Sequence, residues 1–359
     1  MQTPASPIKG RGAVSNPEGR FESQHREAFD DGWLIDEALP SAPQTTVTAE
    51  PARSIITAND SPDIPFDQSI NPYRGCEHGC IYCFARPSHA YLNLSPGIDF
   101  ETKLFYKQNA AGLLEQALRK PSYVCKPINL GSNTDPYQPV ERRLGVTRSL
   151  LEVLERFHHP VTIVTKAGLV ERDLDILTRM ANRKLVSVAI SITTLRDELK
   201  RTLEPRAPSP AARLRTVRRL RDAGVPVFVL AAPIIPCVND DEIEQILAAA
   251  ADAGATGAGY VFLRLPHELK QVFRAWLDAH LPQRAEHVMS LVRQARGGKD
   301  YDADWGQRMR GQGPIADLVA QRFALACRRL QLNRVGNWRL DSTQFRVPPR
   351  AGDQIALQF

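Results

Sequence analysis

Three cysteines stand on one short stretch, Asn71-Pro72-Tyr73-Arg74-Gly75-Cys76-Glu77-His78-Gly79-Cys80-Ile81-Tyr82-Cys83-Phe84-Ala85-Arg86. The spacing of Cys76, Cys80 and Cys83 is C-x3-C-x2-C. Three thiolates on one loop can hold three corners of a cubic [4Fe-4S] cluster and leave the fourth iron without a protein ligand. An iron left open can take a substrate or cofactor, as a catalytic zinc does at its open position. Two plainer readings stand beside this one. A structural zinc would need a fourth ligand, such as His78, His89 or a distant residue. A disulfide would join two of the three. Ligand number and softness favour iron–sulfur. Cys125, Cys237 and Cys327 are isolated and read as small buried apolar residues.

The elements that would hold this loop follow from the pattern of the chain. From about residue 67, short β-rich runs alternate with amphipathic helical runs, which argues for parallel βα units. The first strand is predicted near Gln68–Tyr73, running straight into the cysteine loop. An extended stretch near Phe100–Tyr106 precedes a helix near Ala110–Arg119. Further strands are predicted at Lys126–Gly131, Pro160–Thr165, Leu185–Ile192, Val225–Ala232 and Gly257–Leu265. Helices are predicted near Thr147–Phe157, Val170–Met180, Ala211–Ala223 and Asp240–Ala253. Ser209 is set to cap the third of these, Pro210 to open it and Gly224 to close it. Its arginines, Arg213, Arg215, Arg218, Arg219 and Arg221, read as a solvated outer face. Six βα units fall short of the eight of a closed barrel. The predicted fold is therefore α/β, an open partial (β/α)6 barrel with a disordered N-terminal tail and a helical C-terminal extension.

In such barrels ligands sit at the carboxyl ends of the strands. That rule nominates the polar segment from Gly131 to Glu141, with Ser132, Asn133 and Thr134 at its start. Lys166 and Thr165 follow the third strand. Ser191, Thr193 and Thr194 follow the fourth, and Leu203-Glu204-Pro205-Arg206 comes next. A lysine and hydroxyls here can bind a carboxylate and ribose hydroxyls. Pro233-Ile234-Ile235-Pro236 offers an apolar wall. Each polar residue could equally belong to a turn or a surface ion pair.

The cysteine spacing, with Tyr82 before the last cysteine, resembles that of the radical S-adenosylmethionine (radical SAM) superfamily. The blocks Asn71–Cys76, Ala85–Tyr91, Gly131–Pro139 and Leu203–Arg206 resemble a bacterial branch related to spore photoproduct lyase, over about residues 60 to 330. The resemblance implies a [4Fe-4S] cluster on Cys76, Cys80 and Cys83, and S-adenosylmethionine on its open iron. Reductive cleavage would then give methionine and a 5′-deoxyadenosyl radical that takes hydrogen from a substrate. It further implies cofactor contacts from Tyr82, Ser132, Asn133, Thr134, Lys166, Ser191, Thr193 and Arg206, and an electron donor such as a flavodoxin or ferredoxin. Superfamily members usually carry a Gly-Gly-Glu type motif after the second strand; Ser132, Asn133 and Thr134 replace it by position alone. The lyase also has a hydrogen-donating cysteine after that strand and tyrosines on both sides of its last cluster cysteine. Here Ser132 and Phe84 take those places. An O–H bond is too strong to serve as that donor, and Phe84 has no hydrogen to relay. Thymine-dimer repair is therefore not expected, and no residue is assigned a catalytic role.

Composition bounds the rest. The 359 residues are 43% hydrophobic and 24% charged, ordinary for a globular protein. Six cysteines in this length do not make a disulfide scaffold. The N-terminus lacks the apolar core of a signal peptide, and no apolar run approaches a bilayer span. A cytoplasmic monomer without membrane attachment is expected. Residues 1–55 read as mostly disordered, with a short helix around Glu22–Leu39. Residues 56–285 form the barrel, and 286–359 a helical extension with a basic tail. The net charge is +6. Between Gln321 and Arg350, arginines 322, 328, 329, 334, 339, 346 and 350 face one acid, Asp341, with Phe323, Trp338 and Phe345 among them. That mixture can track phosphates and stack bases, or be a solvated helix with a packed tail; the second reading is preferred. Nucleic acid is the first expectation for a substrate, with a peptide or small molecule as the alternative. A non-catalytic iron–sulfur or zinc protein that binds nucleic acid is the reading from another class.

Overall fold

The computed structural model describes residues 7–22, 43–334 and 339–349. Ten strands appear in chain order: β1 (Thr46–Glu50), β2 (Ile56–Ala58), β3 (Gln68–Ile70), β4 (Tyr73–Arg74), β5 (Lys103–Lys107), β6 (Ile128–Leu130), β7 (Val161–Thr165), β8 (Val186–Ser191), β9 (Val227–Ile234) and β10 (Gly257–Phe262). The main sheet runs β10-β9-β8-β7-β6-β3-β2. Six of its strands are mutually parallel, and β2 pairs antiparallel to β3 at one edge. β8 is buried at all but one position, as a strand covered on both faces must be. Helices return the chain between these strands and pack on the sheet. Helix Val146–Arg156, for example, buries Leu150, Leu151 and Leu154 at one stripe. Among the described residues, no helix is long and apolar enough to cross a membrane.

The six parallel strands lie within a few residues of the predicted ones. Ser209 caps helix Pro210–Asp222 by accepting from Ala212 N at 3.2 Å, and Pro210 opens it. Three expectations change. First, the Gln68–Tyr73 run divides around Pro72: β3 pairs with β6, whereas β4 leaves for a second sheet, β1-β5-β4. Proline offers no N–H to continue a ladder. Second, the extended Phe100–Tyr106 stretch begins as helix Ile98–Thr102 before β5. Third, part of the 1–55 segment is structured. β1 pairs with β5, and residues 11–14 cross the cysteine loop with Ala13 fully buried. Polar bonds rather than an apolar stripe hold this crossing: Glu101 accepts from Gly12 N at 3.0 Å and Ala13 N at 2.8 Å. The expected helix after Glu22 lies outside the described residues.

The C-terminal part joins the main core. Helix Gly313–Arg329 buries Val319 and Phe323, and Phe323 meets Tyr260 at 4.8 Å between ring centres. Phe345 lies 5.6 Å from both Tyr123 and His159. Arg322 pairs with Glu244 at 2.6 Å. The two described aromatic residues among the C-terminal arginines are thus packed inward; Trp338 and Arg350 lie outside the described residues.

Candidate functional site

The carboxyl ends of five of the six parallel strands, β6 to β10, surround a cavity of about 430 Å³ together with the cysteine loop. Cys76, Cys80 and Cys83 line it, all three as free thiols. The loop that carries them is braced from every side. Cys76 N donates to Phe100 O at 3.0 Å, and Ile81 N to Leu203 O at 3.0 Å. Gln138 accepts from Glu77 N and donates to Gly75 O, both at 3.0 Å. Arg86, fully buried, donates to Cys80 O at 2.9 Å and pairs with Glu101 at 2.5 Å. Gly79 sits at φ +68°, where a side chain is disfavoured and a Cβ would meet Glu101 at 2.8 Å. Burial raises all three thiol pKa values, Cys80 to about 12. A metal group would thus have to displace three protons as it binds.

The two nearby histidines have partners or neighbours of their own. His89 Nε2 bonds to Lys103 O at 2.9 Å, and its ring packs on Phe100. His78 Nδ1 lies 3.3 Å from Asp135, without good hydrogen-bond alignment. Among the described residues no three or more His, Cys, Asp or Glu side chains close together as a chelate for a single ion. The three thiols share the wall of one cavity, and three thiolates on one loop can each take a separate iron of a cluster.

Opposite the cysteines, the strand ends supply polar groups. Ser132, Asn133, Thr134, Lys166, Ser191 and Tyr82 all line the cavity. Gly131 at φ +90° lets the chain turn there; a Cβ would come within 2.4 Å of Val164 O. Asn71 accepts from Asn133 N at 2.9 Å and bonds with Ser132 at 3.1 Å, shaping the turn. Thr134 spends its hydroxyl on Tyr73 O at 2.8 Å. Asp135 accepts from Thr165 Oγ1 at 2.6 Å and Lys166 N at 2.8 Å. Burial would raise its carboxyl, but His78 and these donors hold it down at about 2.

Beneath this wall lies a buried charge cluster. Glu204 accepts from Tyr82, from Thr193 at 2.9 Å, and from Arg213. Lys166 Nζ stands 3.7 Å from Glu204 and 5.7 Å from the centre of the Tyr82 ring. Burial opposes the Glu204 charge, yet Arg213 and Lys166 bring its pKa to about 2. Burial also opposes the Lys166 charge, but Cys80 and Glu204 raise its pKa above the ordinary value.

Nine of the eleven predicted site residues meet at the cavity. Thr193 stands behind Tyr82 rather than at the surface of the cavity, bonded to it at 2.9 Å. Arg206 lies away from the cavity and pairs with Glu77 at 3.1 Å. The apolar wall is Ala232 and Pro233; Ile234 and Ile235 turn into the core. Arg213 is a correction: it is 1% exposed and ion-paired, not part of a solvated face. A signal was present, since Arg213, Val217 and Leu220 fall on one side of the helix. Asp135 and Gln138 fall within the nominated Gly131–Glu141 segment but were not singled out, and Arg264, which also lines the cavity, was missed. Their partners lie far along the chain and become neighbours only on folding.

Comparisons with known proteins bear on the family and the fold. Residues 70–250 match the model of the radical SAM superfamily. An uncharacterized protein of Mycobacterium tuberculosis is 38% identical over 232 residues, 64% of this chain and 68% of that one. An uncharacterized protein of Methanocaldococcus jannaschii is 26% identical, covering 61% and 78% of the two chains. Spore photoproduct lyase complexed with dinucleoside spore photoproduct superposes with a TM-score of 0.54 at 14% identity, over 79% of each chain, a likeness of fold. With the family model covering half of the chain, from the end of β3 into the helix after β9, the chain belongs to the radical SAM superfamily.

Proposed function

We propose that this protein uses a [4Fe-4S] cluster on Cys76, Cys80 and Cys83 to cleave S-adenosylmethionine reductively and take a hydrogen atom from a substrate. The carrying observation is that the three free thiols and the polar strand ends of Ser132, Lys166 and Ser191 line one cavity. When bound, cluster and cofactor supply an electron transfer to the sulfonium and a carbon radical as oxidant. The chain's own residues bind, orient and enclose. Lys166, held charged beside Glu204, offers a donor to a carboxylate or ribose hydroxyl. Ser132 and Ser191 offer hydroxyls, and the Tyr82 ring with Pro233 offers apolar walls to a purine. Asp135 holds Thr165 and the Lys166 backbone in place. Thr193 and Arg206 act as positioning residues, the first through Tyr82 and the second through Glu77 on the cysteine loop.

The substrate we infer is not a thymine dimer. Ser132 and Phe84 both line the cavity and neither can deliver a hydrogen atom to a product radical. An anaerobic assay that reversed such a dimer would remove this part. The reaction class itself is tested by electron paramagnetic resonance of anaerobically reconstituted, reduced protein. A cubane signal that changes shape on adding S-adenosylmethionine is the expected result. A sample that takes up zinc, or a cluster signal indifferent to the cofactor, would leave a binding role.

A further inference from the structure

We propose that Arg264, together with Phe84, recognises an oxyanion carried by a planar portion of the substrate at the mouth of the cavity. This rests on the reading of the cavity just given and extends it to substrate class. Arg264 follows β10, at the carboxyl end of the sixth parallel strand, and lines the cavity beside Arg308 and Met309. The other two cations lining the cavity are paired: Lys166 faces Glu204, and Arg308 bonds Asp63 at 2.5 Å. Arg296, near enough to feel the Arg264 charge, is buried and spends donors on the carbonyls of Phe262, Leu263 and Gln307. Arg264 differs. Among the described residues it lies in no ion pair. Its contacts are weak ones, to Met309 Sδ at 3.4 Å and Tyr301 OH at 3.5 Å. Its Nε is buried without a hydrogen-bond partner. Asp63 is near enough to feel its charge, but that carboxylate is spent on Arg308 and Gly306 N. A half-buried guanidinium with donors to spare is stabilised when an anion arrives, and its planar fork suits phosphate or carboxylate.

The Phe84 ring lies 4.9 Å from the Arg264 guanidinium, and the residue is 43% exposed. An exposed ring beside a cation is a platform for a planar group that carries negative charge. The size of the cavity points the same way. About 430 Å³ is within the range occupied by one drug-sized ligand, and S-adenosylmethionine is of that size. The reacting carbon of a substrate can enter, while the rest of the molecule lies outward, where Phe84 and Arg264 stand.

The test uses the reconstituted holoenzyme saturated with S-adenosylmethionine, so that the cofactor site is closed to competitors. Uridine 5′-monophosphate and benzoate are titrated by calorimetry, with uridine and inorganic phosphate as partial probes. Saturable binding of the phosphate or the carboxylate compound is expected, and which one binds identifies the anion. Arg264→Gln is expected to weaken it by about tenfold or more, as loss of a charge-assisted hydrogen bond does. Arg264→Lys should restore part of it, and Phe84→Leu should show an intermediate loss. Affinity for S-adenosylmethionine should change less than about twofold, below 0.5 kcal/mol. Wild type that binds neither probe, or Arg264→Gln that binds as well as wild type, would overturn the assignment. So would Arg264→Gln losing cofactor affinity instead, which would give the residue to the cofactor. A paramagnetic response to S-adenosylmethionine that persists without anion binding marks failure of this inference alone. Loss of that response marks failure of the reaction class.

Discussion

Glu101 and Glu204 are both fully buried, and each pairs with a buried arginine, Arg86 and Arg213 respectively. Their surroundings differ. Glu101 spends its oxygens on Arg86 and on the backbone of Gly12 and Ala13. Arg86 spends its remaining donors on the carbonyls of Cys80, Pro96 and Gly97. That unit is closed, and it ties the N-terminal crossing to the cysteine loop. Glu204 instead shares its charge with Tyr82 and Lys166, both of which line the cavity. A closed ion pair fixes a shape. An ion pair with members on a cavity wall also sets the charge that a ligand meets.

The largest expected effect lies on the closed side. Arg86→Met leaves Glu101 buried without its cation, and should lower unfolding free energy by about 3–5 kcal/mol in denaturant titrations of the apoprotein. A loss below about 1 kcal/mol would break the comparison. Arg213→Met should destabilise less, by about 2–3 kcal/mol, because Lys166 remains beside Glu204. Its distinguishing effect is on the ligand side. Combining it with Glu204→Gln should recover much of the stability without recovering cofactor affinity, whereas the same rescue at Arg86 and Glu101 should leave cofactor affinity unchanged in folded protein.

Acid separates the two regions further. His89, beside the closed unit, has its pKa lowered to about 4, chiefly by burial. A depressed histidine stays neutral in the fold while the unfolded chain gains a proton. Stability is therefore lost as pH falls from about 6.5 towards 4. Glu204, held at about 2, contributes stability that is present above its unfolded value near 4.5 and lost as pH falls from there towards 2. The apoprotein should thus weaken near the cysteine loop before it weakens under Lys166. His89→Gln should make melting less steep in pH between 6.5 and 4 by about 2 kcal/mol, and have little effect below that window. His159, also lowered to about 4 by burial, adds to the same slope, as do His158 and His280, which burial also lowers. The smallest effect belongs to the outer clasp, where Asp63 joins Arg308 and Gly306. Asp63→Asn should change stability by about 1 kcal/mol, because the Arg308 partner keeps 20% of its side chain in solvent, which screens the pair. If it changed stability more than Arg213→Met, the ranking by burial would fail.

Much of this was legible beforehand because it is local. A C-x3-C-x2-C loop brings its thiols together by spacing alone, and alternating β and helical runs define the six parallel units. The strand-end rule then found Ser132, Lys166 and Ser191 without a contact map. It failed for Arg206, which lies on the right loop but faces Glu77 outside the cavity. Arg213 was hidden among solvated arginines; only its spacing with Val217 and Leu220 on one side of the helix marked it as the one that turns inward.

The sequence by itself determined the cysteine loop, the order of the barrel strands and the capped helix behind them, since each depends on neighbours a few residues away. Tertiary structure decided which charges are buried and what they face. Arg86 meets Glu101, Lys166 meets Glu204, and Arg264 comes to rest on Phe84 without a carboxylate. These choices rest on contacts between distant segments, where the desolvation of a charge is settled only by what the whole fold places beside it.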